Sequence, residues 1–248
     1  MRVISVVGLS KSGKTTTIEN IIKELKRRNY SVGTIKEIHF HDFKMDVEGT
    51  NTYRHREAGA GTVTARGIKE TDIMFDHKLD IKTILSFYNE DFVIMEGVRD
   101  TSAPKIITAS DEEGIEAKLD GTAFAISGVI SDKIQGYKDL PSIDGVSRIE
   151  ELVDLIEKVA MVPLPDVDPK CCSACGYSCM ELSQRIIKGL SKREDCKIDD
   201  LSTKLTINGK KIYMVPFVEN ILRNTVLGVA KELKGYSELG DIEICIKR

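Results

Sequence analysis

The feature that most constrains this chain is a glycine-rich turn between an apolar run and an amphipathic stretch near the N-terminus. Residues 8–15 read Gly-Leu-Ser-Lys-Ser-Gly-Lys-Thr and match the phosphate-loop pattern G-x-x-x-x-G-K-[ST] at every position. The run Val3–Val7 before the turn is typical of a strand buried on both faces. Ile18, Ile21 and Leu25 follow at helical spacing. The sequence therefore predicts a strand–loop–helix unit whose loop binds phosphate.

The residue types in this loop suit the phosphates of a nucleoside triphosphate. Its glycines let successive N–H groups face the phosphates, and the following helix adds the positive end of its dipole. Lys14, expected to face solvent before a ligand arrives, brings charge to the β- and γ-phosphates, and Thr15 offers a hydroxyl to Mg²⁺. The predicted nucleotide-binding residues are Gly8, Ser10, Lys11, Ser12, Gly13, Lys14, Thr15 and Thr16.

Strand and helix patterns alternate through the first two thirds of the chain, which favours an α/β fold: a P-loop NTPase with a mostly parallel sheet flanked by helices. Three prolines within residues 163–169 interrupt this alternation and predict a linker. The expected domains are a nucleotide-binding domain over 1–165, a cysteine-rich metal module over 166–200 and a small α+β segment over 201–248. Within the last segment, Asn208-Gly209 predicts a hairpin and Asp241–Ile246 a strand.

An acidic residue at the end of a second buried strand completes the predicted site. Phe92–Met95 is apolar, and Glu96 follows where ligands collect in open α/β sheets. We expect Glu96 to hold Mg²⁺ or to position an attacking water, with Lys14 as the other catalytic residue; a solvated strand-end glutamate is the alternative. No Asn-Lys-x-Asp motif marks a guanine site, although Ser131–Lys133 is a weak candidate near the base. The residues alone do not distinguish GTP from ATP.

Bulk composition excludes several classes of protein. The net charge of −3 lacks the basic excess of a general nucleic-acid binder. No apolar stretch is long enough to span a membrane, and no signal peptide precedes the glycine motif, so we expect a cytoplasmic protein. In that reducing compartment, the six cysteines favour metal ligation over disulfides.

Four of these cysteines, Cys172, Cys175, Cys179 and Cys196, are spaced as ligands of one metal centre. The segment resembles a small [4Fe-4S] domain of redox and corrinoid proteins, although its second gap is one residue shorter. A [4Fe-4S] cluster is the leading interpretation, with structural Zn²⁺ or no metal as alternatives, and Cys171 could replace a neighbouring ligand. Cys245, in the predicted last strand, is expected to be a buried, inert thiol.

The N-terminal part resembles the MobB family, the molybdopterin-guanine dinucleotide biosynthesis adaptor proteins. The resemblance rests on four motifs in the family's order: Ile35-Lys36 with His39 and His41, Asp46 to Gly49, Ala58-Gly59-Ala60, and Glu96-Gly97 followed by Pro104-Lys105-Ile106. The chain departs from the family at Glu37 and at Gly49-Thr50-Asn51, where a histidine and a G-K-D step are expected.

This resemblance implies a GTP-binding, weakly hydrolysing homodimer that assists attachment of a guanine nucleotide to molybdopterin, with a guanylyltransferase or a client metalloenzyme as partner. By position, Asp46 would join Thr15 and Glu96 at Mg²⁺, and Lys36, His39 and Arg54 would line the substrate side. Two alternatives are an NTP-driven metallochaperone or reductive activator of a metalloenzyme, and a non-catalytic, redox-sensing nucleotide-binding regulator.

Overall fold

The structure is a computed structural model. It describes residues 1–40, 43–168, 172, 174–198, 203–208, 210–212, 214–237 and 241–246. The chain divides into two compact units, Met1–Pro163 and Leu164–Arg248. No helix in the described ranges combines the length and apolarity needed to cross a membrane.

The first unit alternates strands with helices, as the sequence pattern predicts. In chain order its elements are β1 (Arg2–Gly8), α1 (Lys14–Arg27), β2 (Val32–Lys36), α2 (Asn51–Glu57), β3 (Thr62–Arg66), β4 (Thr71–Phe75), α3 (Ile81–Leu85), β5 (Phe92–Glu96), β6 (Lys105–Thr108), α4 (Glu112–Glu116), β7 (Ala123–Ser127), β8 (Gly136–Tyr137), β9 (Leu140–Pro141) and α5 (Ile149–Val159).

Five of these strands form one parallel sheet in the order β2-β5-β1-β6-β7. Successive side chains of a strand point to opposite faces. Val3 and Val7 of β1 join apolar clusters on one face, and Ile4 and Val6 on the other face are equally buried. The sheet is thus covered on both sides, which explains why its strands read as continuous apolar runs. The predicted mostly parallel P-loop fold is confirmed.

Parallel pairing brings the carboxyl ends of the strands to one edge of the sheet. Val6 of β1 pairs with Glu96, and Lys36 at the end of β2 pairs with the same Glu96. On the other side of β1, Gly8 pairs with Thr108 of β6. The predicted loop, the predicted acid and Lys36 therefore meet at this edge.

Within the described part of the first unit, two short hairpins lie outside the main sheet. β3 pairs antiparallel with β4, and β8 with β9. The sequence predicts a strand over Thr62–Ala65, and β3 forms there. It does not predict β4, because the polar Thr71 and Asp72 interrupt the apolar alternation that marks a strand.

The second unit contains α6 (Cys179–Ile187), β10 (Leu205–Ile207), β11 (Lys210–Ile212) and α7 (Pro216–Lys231). The predicted hairpin is present, since β10 and β11 pair antiparallel around Asn208. The predicted strand over 241–246 is wrong: these residues are exposed and adopt no regular structure. A strand is stabilised by the ladder to its neighbour, and alternation alone does not supply one.

Candidate functional site

The phosphate-binding motif forms a loop that leads directly from β1 into α1. Gly13 caps α1 with a left-handed backbone, φ 93°, a conformation that glycine adopts without steric cost. A Cβ atom on Gly8 would lie 2.3 Å from the carbonyl oxygen of Thr108. Both motif glycines are therefore required by the path of the backbone and its close packing against β6.

Two residues outside the motif support the loop from beneath. The buried Ser12 hydroxyl lies 2.8 Å from Thr108 Oγ1, so this side chain packs inward. Gly128, directly after β7, approaches so closely that a Cβ on it would lie 2.1 Å from the Ser12 carbonyl oxygen. That oxygen accepts the Val129 N–H at 3.3 Å. Thr108 and Gly128 belong to no sequence motif, and only the fold brings them to the loop.

The remaining side chains of the loop differ in how they are held. Ser10, Lys11 and Thr16 are exposed, and Lys11 has a left-handed backbone with φ 60°. Lys14 does not extend into solvent as expected. Its ammonium turns back onto the loop and donates to the carbonyl oxygens of Leu9 at 2.6 Å and of Gly8 at 3.1 Å.

The charges around Lys14 define a compact electrostatic site. Partial burial lowers the pKa of Lys14, the Glu96 carboxylate opposes this effect, and the positive charges of Lys118 and Lys36 lower the pKa further. Lys118, which follows α4, is a cation near the loop that the motif does not indicate. Three lysines and one carboxylate thus act on the same small region, an arrangement suited to a polyanionic ligand.

Glu96 links the loop to the neighbouring strand. Thr15 Oγ1 donates to Glu96 Oε1 at 3.3 Å, and Lys36 Nζ donates to the same oxygen at 3.2 Å. The Glu96 side chain is only 15% exposed, whereas that of Lys36 is 59% exposed. A hydroxyl and a carboxylate that converge beside a phosphate loop are the hard oxygen donors that Mg²⁺ prefers.

The residues predicted on the substrate side are only partly brought together. Lys36 contacts Glu96, and the ring of the exposed His39 lies near Gly97, since a Cβ on that glycine would be 4.0 Å from His39 Nε2. Arg54 is exposed on α2. His41 of the family motif lies outside the described residues. The substrate role of Lys36, His39 and Arg54 stays a prediction.

Asp46 is held in the turn before α2. Its Oδ1 accepts hydrogen bonds from the Val47 N–H at 3.0 Å, from Thr50 Oγ1 at 3.0 Å and from Thr52 Oγ1 at 2.9 Å. Burial raises the pKa of Asp46, but the bonds from Thr52, Thr50 and Val47 outweigh it and keep the pKa below its usual value. Its other oxygen, Oδ2, is buried and makes no hydrogen bond within the described residues. Its role at Mg²⁺ stays a prediction.

The predicted metal ligands share one apolar cluster in the second unit. Cys196 is buried, and Cys172, Cys175 and Cys179 pack partly buried against the same core. Burial raises the pKa of the Cys179 thiol above its ordinary value, and the Asp166 carboxylate and Cys196 add to this effect; the backbone N–H groups of Val167 and Asp166 offset only part of it. Across the part of the chain that the structure describes, no three histidine, cysteine or acidic side chains are arranged to hold a metal ion.

Two other cysteines complete the comparison with the sequence. Cys171, the substitute ligand, lies outside the described residues. Cys245 is exposed, so its expected burial is wrong. Because the segment around Cys245 forms no strand, no sheet covers that thiol.

Known proteins share both the sequence and the fold. Residues 3–132 match the family described as molybdopterin guanine dinucleotide synthesis protein B, MobB. A Methanocaldococcus jannaschii protein, provisionally designated a molybdopterin-guanine dinucleotide biosynthesis adapter protein, is 32% identical over 251 residues, covering 98% of this chain and 97% of its own. The Haemophilus influenzae adapter protein is 30% identical over 160 residues, 62% of this chain and 86% of its own.

The crystal structure of Bacillus subtilis MobB covers 63% of this chain and 96% of its own, with a TM-score of 0.54 and 25% sequence identity. Because it covers 98% of this chain, the match to the M. jannaschii protein includes the unit that contains the cysteines. The matches to the H. influenzae and B. subtilis proteins are about the size of the first unit. A family profile that matches over half of the chain, together with a relative matched along almost its whole length, shows that this chain belongs to the MobB family.

Proposed function

We propose that this chain binds GTP with Mg²⁺ and assists the attachment of a guanine nucleotide to molybdopterin as an adaptor. The convergence of Thr15 and Glu96 on one point beside the loop carries this proposal, since that point suits the Mg²⁺ of a bound triphosphate. The names of the relatives supply the biosynthetic context: the H. influenzae protein is a molybdopterin-guanine dinucleotide biosynthesis adapter.

Each side chain at the loop has a distinct role in this proposal. Lys14 exchanges its bonds to the Leu9 and Gly8 carbonyls for the β- and γ-phosphates. Thr15 and Glu96 would hold Mg²⁺, which would supply positive charge to the phosphates. Glu96 also orients the attacking water and so supports a slow hydrolysis, which accompanies an assembly step.

The nucleotide preference and the partners are proposed from the family, because the chain has no motif that recognises the base. GTP is preferred over ATP, molybdopterin and a guanylyltransferase are the partners, and the protein acts as a homodimer. Asp46 contributes to the Mg²⁺ site, and Lys36, His39 and Arg54 face the substrate.

Calorimetric titration with GTP and Mg²⁺ tests nucleotide binding. The unsubstituted protein is expected to bind, and Lys14→Ala is expected to lose binding, because Lys14 is the lysine of the phosphate-loop pattern that reaches the β- and γ-phosphates. Lys14 bonds only to carbonyl oxygens of its own loop in the described structure, so the fold should not depend on it. The circular dichroism spectrum of the Lys14→Ala variant should therefore match that of the unsubstituted protein. Equal GTP affinities of the two proteins would exclude this role of Lys14, and equal affinities for GTP and ATP would exclude guanine preference.

We further propose that Cys172, Cys175, Cys179 and Cys196 bind a [4Fe-4S] cluster, with Zn²⁺ as the alternative. Soft thiolates clustered in one core suit either metal, and a bound cation would offset the burial that keeps the pKa of the Cys179 thiol above its ordinary value. Metal binding would draw the four sulfurs to ligand distance, as in small metal domains whose folding is coupled to the metal. Anaerobically purified protein is expected to be brown and to contain about four irons per chain. One zinc in colourless protein would establish the alternative.

A second candidate function arises from the same unit. The match to the M. jannaschii protein extends through the cysteines, whereas the H. influenzae match covers 62% of this chain. This distribution favours an additional role as a nucleotide-driven metallochaperone or reductive activator. Stimulation of GTP or ATP hydrolysis by a client metalloenzyme would support that role, and binding of molybdopterin without such stimulation would favour the adaptor alone.

A further inference from the structure

One carboxylate oxygen of Glu96 accepts two hydrogen bonds, and one of the two donors is a lysine ammonium. Lys36 Nζ and Thr15 Oγ1 both donate to Glu96 Oε1, at 3.2 Å and 3.3 Å. We propose that Lys36 is a tethered counter-ion that neutralises Glu96 until Mg²⁺ enters with the nucleotide and displaces it. This inference rests on the proposed nucleotide site and adds a regulatory residue to it.

The fold fixes the acid and leaves the lysine able to move. Lys36 and Glu96 are register partners at the carboxyl ends of the adjacent strands β2 and β5, so their side chains start from neighbouring positions. Glu96 is 15% exposed and Lys36 is 59% exposed. The ammonium can therefore leave into water at little cost, whereas the carboxylate stays beside the loop.

The charge balance requires a cation at this position in both states. Without Mg²⁺, a largely buried carboxylate would face the negative phosphates of an incoming nucleotide. Lys14 does not provide the missing hydrogen bond, because its ammonium donates to the Leu9 and Gly8 carbonyls. With Mg²⁺ bound, a lysine on the same oxygen would repel the metal ion. The contact of Lys36 with Glu96 thus favours nucleotide binding before the metal ion enters and opposes binding of the metal ion afterwards.

This role differs from direct phosphate binding in a measurable way. A lysine that contacts phosphate contributes to nucleotide affinity whether or not Mg²⁺ is present. A counter-ion to Glu96 contributes only when Mg²⁺ is absent, and it weakens the binding of Mg²⁺. Because the coupling between ligands is reciprocal, the two effects must be equal in size.

The test is calorimetric titration of GTP into the full-length protein and its Lys36→Met variant, with chelator and with saturating Mg²⁺. In chelator, the variant is expected to bind GTP about tenfold more weakly, which corresponds to about 1.4 kcal/mol. In saturating Mg²⁺ the two affinities should agree within about twofold, and the Mg²⁺ concentration that half-saturates the complex should fall about tenfold in the variant.

Two controls accompany this titration. Lys36→Arg keeps the positive charge and should keep the affinity in chelator. Lys78→Met removes a lysine from the neighbouring ion pair with Glu37, whose N–O distance is 2.5 Å. This variant should have the GTP affinity of the unsubstituted protein both in chelator and in saturating Mg²⁺. An equal loss in both conditions, or no loss in either, would overturn the counter-ion role. If the unsubstituted protein bound no nucleotide in Mg²⁺, the proposed function itself would fail, which is a different result.

Discussion

The helix that follows the phosphate loop, α1, is anchored by the buried carboxylate of Glu24. The loss of stability on replacing this carboxylate can be calculated from the structure. Glu24 of α1 has a side chain that is 6% exposed and accepts hydrogen bonds from Arg27 and Arg28, each with a closest distance of 2.7 Å. Arg28 also bonds Asp154 and Glu157 of α5 at 2.7 Å. Glu24→Gln therefore removes the charge that joins the two arginines in the contact between α1 and α5.

The expected loss follows from the pKa of Glu24. The bond from Arg27 is the largest cause and Arg28 adds to it, so that despite burial the pKa falls from 4.5 to about 2. This difference of about 2.5 pH units, at about 1.36 kcal/mol each, is worth about 3 kcal/mol. Because the folded-state pKa is depressed, the stabilisation is complete above pH 4.5 and is lost as the pH falls towards 2.

Urea unfolding between pH 7 and pH 2.5 measures this effect, with hydrogen exchange of α1 peptides to separate the first unit from the second. Glu24→Gln is expected to unfold with about 3 kcal/mol less free energy at pH 7 and to lose less stability than the unsubstituted protein below pH 4.5. Glu150→Gln is the matched control. Its pair with Arg27 is exposed, at 70% and 62% of the two side chains, and should be worth under about 1 kcal/mol.

Two results would refute this reasoning. One is a loss below about 1 kcal/mol at pH 7 for Glu24→Gln, which would mean that the bonds of Arg27 and Arg28 to the buried Glu24 side chain do not depend on its charge. The other is parallel acid destabilisation of Glu24→Gln and the unsubstituted protein, which would assign the acid transition to other carboxylates.

Three further predictions concern the loop and the cysteines. Gly128→Ala places a Cβ 2.1 Å from the Ser12 carbonyl oxygen and should abolish GTP binding in calorimetry, whereas Gly228→Ala, with open space around it, should not. Glu96→Gln should retain GTP binding and slow phosphate release in a hydrolysis assay; an unchanged rate would make Glu96 structural. Cys196→Ser should lose the iron measured in anaerobic protein, and Cys245→Ser, at an exposed position, should keep it.

Much of the first unit could be predicted from local sequence alone. The glycine spacing of residues 8–15, the apolar run before it and the helical period after it each depend on neighbouring residues, and the observed β1 and α1 agree with them. Glu96 could be placed at the same site because parallel strands end at one edge, so a motif at the end of one strand locates the end of the next.

Contacts between distant segments could not be predicted in this way. Thr108 and Gly128 support the loop from beneath, more than 90 residues away along the chain from Ser12, and neither lies in a pattern. In the second unit the sequence predicts a feature that is absent: the alternating residues 241–246 predict a strand that does not form. Strand formation depends on a neighbouring strand as well as on alternation.

The sequence by itself therefore determined which chemical groups this protein carries: a phosphate-loop motif, an acid at a strand end and four closely spaced cysteines. The tertiary structure decided how these groups are held. It turned Lys14 back onto the loop carbonyls and set Lys36 on the Glu96 oxygen that Thr15 also contacts. The physical reason is that local patterns report backbone preference and burial, whereas partners in a hydrogen bond are chosen by strand order and register, which arise only when the whole sheet is formed.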